Sequence, residues 1–274
     1  MAIGDAQVQK AAWLRSVEYI GDSALYHMEQ AGLMGVLLFR AVLGIVRPPY
    51  ELGAVVKQLH FIGARSLLVI VVAGAFTGMV LALQFYNTLD RFGTIDLLGS
   101  ATGLALVREL GPVMAALMVV GRAGSAMCSE IGIMRMYEQI DALECMAIDP
   151  YKYLVTPKLV AGLIALPALT SIFDVVGIGG GYLVGVVIFG LSEGAYIDSM
   201  IAGVEWNDVA MGLYKSVLFG LLLTWICTAK GFFMHRARVG AFGAEGVARI
   251  TTEAVVMSSI AVLFGDYLVG ALML

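Results

Sequence analysis

The chain has 274 residues, of which 60% are hydrophobic and 14% are charged, and its formal net charge is -4. Soluble domains carry about 25% charged residues, and a soluble fold of this length has too small a core to bury so much apolar surface. The composition therefore excludes an ordinary soluble domain and indicates that most of the chain lies in lipid. The small net charge gives no indication of nucleic-acid binding.

Sequence patterns for metal or phosphate chemistry are missing. The three cysteines and three histidines are scattered without a CxxC pair, so neither a zinc site nor a disulfide framework is predicted. The phosphate-binding pattern GxxxxGK(S/T) and the metalloprotease pattern HExxH are also missing. We therefore expect no catalytic residue, no metal site and no cofactor in this chain, which would not bind ATP phosphates itself.

Residues 31–46 are apolar, but they are fewer than the roughly 20 that a membrane-spanning helix needs. Arg40 lies among them, and Pro48 and Pro49 follow and stop a helix. We interpret the segment as an interfacial elbow helix that lies on the cytoplasmic leaflet. A sixth span is the alternative.

Five longer apolar stretches predict transmembrane helices. The third, residues 159–192, would make a helix of roughly 51 Å and is either one tilted helix or a helical hairpin. With one helix, residues 1–65, 122–158 and 230–249 share a side and hold 6, 4 and 4 of the 17 Lys and Arg. This bias favours one helix, five spans, a cytoplasmic N-terminus and a C-terminus on the outer side, which is the periplasmic side if the membrane is a bacterial inner membrane. The predicted spans are residues 66–89, 97–121, 159–192, 209–229 and 254–274.

The predicted fold class is an all-α integral membrane protein with one domain, residues 1–274. Residues 1–65 would form cytoplasmic and interfacial helices, and residues 66–274 would form the transmembrane bundle. Glycines recur every four residues at two places in this bundle, and such small residues let helices approach closely. The smooth faces would pack within one chain or, alternatively, form the seam of a homodimer. They contain Gly74 and Gly78 in the first span, and Gly177, Gly181 and Gly185 in the third.

Arg108 and Glu109 lie in the middle of the second apolar stretch, where Arg costs about 2.5–3.5 kcal/mol on insertion scales. Pro112 follows and loosens the local backbone because it donates no hydrogen bond. The pair would line a polar substrate cavity or, alternatively, contact another helix, for instance at Asp174 or Lys215.

Asp174 and Asp266 are further carboxylates within predicted spans. Carboxylates in this position occur in proton relays. Neither residue lies in a recognisable relay spacing, and the alternative is that each makes polar contacts between helices.

Residues 134–150, MRMYEQIDALECMAIDP, predict an amphipathic cytoplasmic helix between the second and third spans. Helical spacing puts Glu138, Asp141 and Cys145 on one face, and an Asp-Pro pair at 149–150 ends the helix. Its acidic character disfavours binding to anionic lipid, so a protein partner is expected.

Four segments of the sequence are distinctive. The longest is RELGPVMAALMVVGRAGSAMCSEIGIMRMYEQIDALECMAIDPYKYLVTPKLVAG at 108–162; the others are LALQ at 81–84, ITTEAVVMSSIAVL at 250–263 and DYLVGALM at 266–273. Together they resemble the MlaE family of permeases, and the resemblance extends over nearly the whole chain. These permeases are the membrane subunits of MCE-type ABC transporters that move phospholipid in Gram-negative bacteria.

The resemblance implies a homodimer in the bacterial inner membrane that hands phospholipid between this membrane and a periplasmic protein and so maintains outer-membrane lipid asymmetry. The implied partners are an MlaF-type ATPase that binds ATP and magnesium, an MlaB-type STAS protein and a hexameric MlaD-type MCE protein. The chain itself would be a transport subunit and no enzyme.

The resemblance also implies two sets of functional residues. A lipid cavity at the dimer interface, open to the periplasm, would be lined by Leu81, Thr88, Leu89, Phe92, Arg108 and Glu109. Glu138, Asp141 and Glu144 would lie on a coupling helix that docks on the ATPase.

Two other functions are alternatives to lipid transport. The coupling-helix pattern also resembles that of ABC importers, so the chain could be a permease for a small soluble solute. A non-transporting membrane scaffold would explain the glycines and the coupling helix, but it would leave Arg108 and Glu109 without a purpose. The nearly apolar span 66–89 favours lipid over a soluble solute.

Overall fold

The computed structural model describes residues 2–46, 52–236 and 243–273, and these residues are almost entirely helical, with no strand among them. This confirms the all-α fold class. In the described ranges we number the helices α1 Ala2–Val46, α2 Leu52–Ile62, α3 Leu67–Phe92, α4 Ile95–Met136, α5 Gln139–Cys145, α6 Tyr151–Ile188, α7 Glu193–Gly203, α8 Trp206–Phe232 and α9 Gly243–Met273.

Six helical segments of the described chain are long and apolar enough to cross a membrane. Five of them cover most of each predicted span, and α6 confirms that the third stretch is one helix. Helix α6 ends at Ile188, however, before the predicted end at 192. The short helix α7, between α6 and α8, was not predicted from the sequence. The sixth candidate covers residues Ala24–Ile45 of α1.

The long helices alternate in direction, so the bundle has two ends. We call the end that carries residues 137–150 the proximal end and the opposite end, where α3 meets α4, the distal end. At the proximal end α4 and α8 finish, and α6 and α9 begin. At the distal end α7 packs against the first turns of α4.

Contacts of α1 lie at the proximal end of the bundle. Glu29 forms an ion pair with Arg236, just beyond α8, with 3.2 Å between Oε1 and Nη1. The carbonyl oxygen of Ala41 accepts a hydrogen bond of 3.0 Å from Thr156, near the start of α6. Glu29 and Ala41 are roughly 18 Å apart along a helix. Since both contact the same end of the bundle, the interfacial placement is favoured over a sixth span, and it stays a prediction.

Close helix crossings explain the glycine faces. Gly78 of α3 meets the backbone of Gly177 on α6 so closely that a Cβ atom on Gly78 would overlap the Gly177 carbonyl group. A Cβ atom on Gly74 would lie 2.9 Å from the carbonyl oxygen of Phe173. Gly181 faces the hydroxyl group of Tyr196 on α7. The prediction that these faces pack within one chain is confirmed.

The acidic segment at the proximal end is helical over a shorter range than the predicted 134–150. Helix α4 runs on to Met136, and the chain then turns at Glu138, whose φ of 56° is left-handed. Such a conformation interrupts a helix made of L-residues. Helix α5 ends before Ala147, which also has a positive φ of 59°. Glu138 therefore precedes the helix, and the prediction that it shares a helical face with Asp141 is wrong.

Candidate functional site

A largely apolar, partly exposed surface lies on the distal half of α3. Spacings of seven and four residues put Leu81, Thr88 and Phe92 on one side of the helix, with Leu89 beside them. Leu81 contacts the core, whereas Phe92 is 77% exposed. The Thr88 hydroxyl donates to the carbonyl oxygen of Gln84 at 3.0 Å, which satisfies its donor within the helix. We call these four residues the distal α3 face.

A buried lysine joins three helices. The Nζ atom of Lys215, on α8, lies 2.5 Å from Oε2 of Glu109 on α4. It also lies 2.9 Å from Oδ1 of Asp266 on α9, at ion-pair distance but outside hydrogen-bond geometry. The Lys215 side chain has no exposed surface. The alternative in which Glu109 contacts Lys215 across helices is present in the structure, and so is a polar contact of Asp266. The cavity role of Arg108 and Glu109 stays a prediction.

Arg108 pairs with Asp208, in the first turn of α8, with 3.4 Å between Nε and Oδ1. The other oxygen of Asp208 accepts a hydrogen bond of 2.9 Å from the backbone N–H of Glu205, where the two residues form a capping box. Asp208 was not predicted, although the Glu205-x-x-Asp208 spacing is a sequence signal for a helix start. Asp208 and Lys215 are seven residues apart, so they lie on the same side of α8.

Local backbone geometry lets α4 and α8 approach at this point. Residues Leu106–Leu110 form a π turn, and Pro112, which donates no hydrogen bond, follows at the start of the next α-helical stretch. On the other helix, Gly212 lies against the carbonyl oxygen of Val107, and a Cβ atom there would overlap it. The sequence of α4 thus brings Arg108 and Glu109 against α8.

The five side chains form what we call the charged cluster: Arg108, Glu109, Asp208, Lys215 and Asp266. Two cations and three carboxylates give it a formal charge of −1. Glu109 lies roughly 20 Å from the distal start of α4, yet its side chain is 45% exposed, and that of Arg108 is 31% exposed. Charges at such depth face a water-filled cavity or a partner.

Asp174 does not join the charged cluster. Its Oδ1 atom is buried without a hydrogen-bond partner in the described chain, and it packs against Gly111, where a Cβ atom would overlap it. The alternative contact predicted between the Arg108–Glu109 pair and Asp174 is therefore wrong. A proton relay through Asp174 stays a hypothesis.

The acidic residues predicted to couple to an ATPase lie together at the proximal end. Glu138, Asp141 and Glu144 are all exposed. Asp141 is held by Arg135, with 2.6 Å between Oδ1 and Nη1, a contact that was not foreseen. Ile140 of α5 is buried and Leu143 packs partly buried beside it, so the helix rests on the bundle through these apolar side chains and presents its carboxylates outward.

These features define a multi-pass α-helical membrane protein with charges inside its bundle and an acidic helix at one end. The family model described as "Permease MlaE" matches residues 55–272. The chain belongs to the MlaE family of permeases.

Curated relatives agree with this family. A probable ABC transporter permease protein of Rickettsia prowazekii is 39% identical over 94% of this chain and 98% of its own length. The intermembrane phospholipid transport system permease protein MlaE of Haemophilus influenzae is 38% identical over 94% of this chain and 97% of its own length. The chloroplastic protein TRIGALACTOSYLDIACYLGLYCEROL 1 of Arabidopsis thaliana is 32% identical over 86% of this chain and 66% of its own length.

Proposed function

We propose that the chain is the permease subunit of an ATP-driven phospholipid transporter and hands lipid between the inner membrane and a periplasmic MCE protein. The observation that carries the proposal is the combination of two surfaces at similar depth. Leu81 and Arg108 both lie roughly 17–20 Å from the distal end, one on the apolar distal α3 face and the other in the charged cluster. A phospholipid needs both kinds of surface.

The chemistry of each surface suits one part of a phospholipid. Leu81, Leu89 and Phe92 offer apolar area to acyl chains. In the charged cluster, the partly exposed Arg108 guanidinium can bind a phosphate group through two parallel hydrogen bonds. Glu109 can bind the ammonium group of a zwitterionic head group. A soluble solute would have no use for the apolar face.

The remaining partners follow from the same proposal. Two copies of the chain would enclose the exposed sides of Arg108 and Glu109, which one copy leaves open. An MlaF-type ATPase, which binds ATP and magnesium, would dock on Glu138, Asp141 and Glu144, together with an MlaB-type STAS protein. A hexameric MlaD-type MCE protein would sit at the distal end. The proximal end and the N-terminus would then be cytoplasmic, the C-terminus periplasmic, and the transporter would maintain outer-membrane lipid asymmetry.

Replacing Arg108 or Glu109 by alanine is expected to reduce phospholipid transfer by the purified complex about ten-fold or more, because each change removes one charged contact to a head group. The transfer assay uses fluorescent phospholipid and the ATPase and MCE partners that co-purify with the chain. Cells with either variant should also lose resistance to SDS with EDTA at normal expression.

The matched control is Arg249→Ala, which removes an exposed arginine that pairs with Glu253 within one turn of α9. Its transfer rate should equal that of the wild type. Wild-type transfer and detergent resistance in both the Arg108 and Glu109 variants would rule out the cavity role. A wild-type complex without bound or transferred phospholipid would favour a soluble solute or a scaffold function.

A further inference from the structure

Arg135, in the last turn of α4, joins three elements at the proximal end. Its Nη1 atom lies 2.6 Å from Oδ1 of Asp141 on α5. Its Nε–H donates to Nδ1 of His235, in the turn that follows α8, at 3.0 Å. Its guanidinium carbon also lies 5.8 Å from the centre of the Phe232 ring at the end of α8. One side chain therefore contacts α4's own end, α5 and the end of α8.

The side chain of Arg135 is only 17% exposed, whereas that of Asp141 is 53% exposed. Partial burial, together with the neighbouring charges of Arg135 and Arg236, lowers the pKa of His235 below its ordinary value. The lowered pKa favours the neutral ring, in which one nitrogen can accept the hydrogen bond from Arg135. The guanidinium thus has a carboxylate, an imidazole and an aromatic ring as partners, which a lysine could not satisfy together.

Few contacts other than those of Arg135 hold helix α5 in a fixed position relative to the bundle. It has seven residues, and helices this short are not stable on their own. Left-handed residues, Glu138 and Ala147, flank it on both sides and separate it from α4 and α6. Of its side chains, Ile140 is buried in the bundle and Leu143 is partly buried beside it. Among the described residues, the Arg135–Asp141 ion pair is the polar side-chain contact between α5 and α4.

We propose that Arg135 is a positioning residue that makes α5 move as one body with α4 and the end of α8. The inference rests on the proposed function of α5 as the contact to an ATPase. Helix α4 carries Arg108 and Glu109, and α8 carries Lys215. A rigid α5 would therefore pass a displacement imposed at the proximal end to the two helices that hold the charged cluster.

The first experiment measures the motion of α5 in the purified full chain, without any partner. Cys145 on α5 is exposed, while Cys128 and Cys227 are buried, so a maleimide spin label will react at Cys145. The electron paramagnetic resonance spectrum should show an immobile label in the wild type and a large mobile component in Arg135→Ala. Arg135→Lys should be intermediate, because it keeps the ion pair and loses the bond to His235. Arg249→Ala serves as the matched control and should leave the spectrum unchanged.

The second experiment uses the complex of the chain with its co-purified ATPase. In Arg135→Ala we expect the ATPase to stay bound and to hydrolyse ATP. The amount of phospholipid transferred per ATP should fall about ten-fold, which is within the usual range of coupling between two linked sites. A purely structural role would lower assembly and hydrolysis together and leave this ratio unchanged. An unchanged ratio, or an unchanged label spectrum, overturns the inference.

If Arg135→Ala does not fold, His235→Ala is the second variant for the label experiment. His235 is exposed and bonds to the guanidinium, and no hydrogen bond or ion pair joins it to α5 within the described chain, so the bundle should tolerate its loss. A rise in label mobility supports the inference, and an unchanged spectrum overturns it. Failure of the proposed function is distinguishable, since a wild-type complex that transfers no phospholipid would leave the label result in the chain alone unaffected.

Discussion

Replacement of Lys215 by methionine is expected to lower the free energy of unfolding of the chain by about 3 kcal/mol. The buried ammonium group lies 2.5 Å from Glu109 and 2.9 Å from Asp266, and its loss leaves two carboxylates without their cation. Removing one partner of a buried ion pair costs about 3–5 kcal/mol. We expect the lower value because water can reach the Glu109 side chain, which is 45% exposed.

Titration of the purified chain with SDS, followed by tryptophan fluorescence, measures this loss. Lys230→Met is the matched control, since Lys230 lies 3.7 Å from Glu253 near the end of α8 and its loss should cost less than about 1 kcal/mol. The double variant Lys215→Met with Asp266→Asn should recover about half of the loss, because it removes the less exposed of the two orphaned charges. Equal free energies of unfolding for Lys215→Met and Lys230→Met would show that the charged cluster does not stabilise the fold.

Replacement of Gly78 by alanine is expected to destabilise the chain by about 3 kcal/mol. The new Cβ atom would overlap the carbonyl group of Gly177, and backbone atoms cannot rotate away as a side chain can. Helices α3 and α6 would have to separate along their whole contact. The expected loss therefore exceeds that of an ordinary methyl group inserted next to flexible side chains.

Gly179 on α6 offers a control with the same chemical change. A Cβ atom there would meet no atom within 4 Å, so Gly179→Ala should be neutral or stabilise the helix by up to about 1 kcal/mol. Thermal unfolding of both variants in detergent, monitored by circular dichroism, separates the two effects. Similar melting temperatures for the two alanine variants would mean that α3 and α6 do not cross at Gly78 and Gly177.

Hydropathy and charge were enough to predict most of the fold. The five long apolar stretches became α3, α4, α6, α8 and α9 because uncharged runs of this length satisfy their backbone polar groups only as helices in lipid. The bias in Lys and Arg correctly favoured one long α6 over a hairpin. Helix α7 was missed because the apolar periodicity of its residues, Glu193–Gly203, is too weak to predict a helix. Its packing against α4 stabilises it instead.

The sequence predicted only part of the charged cluster: Asp208 was missed, and the contact of Glu109 with Lys215 was one of several alternatives. A charge in an apolar stretch is visible in the sequence, and Arg108 and Glu109 were recognised on that basis. Which helix neutralises them depends on the crossing of α4 and α8 at Gly212, and neither hydropathy nor spacing reports this crossing. The same holds for Arg135 and Asp141, where the left-handed turn at Glu138 folds α5 back towards α4.

The partners in the charged cluster are synthesised at different times. Glu109 precedes its partner Lys215 by 106 residues, and Asp266 comes later still. When α4 first reaches the membrane, Asp208 and Lys215, which pair with Arg108 and Glu109, have not yet been synthesised, and each charge at mid-depth is costly. Helix α4 therefore enters lipid before these two charges have their partners, and it acquires them only after translation has supplied α8.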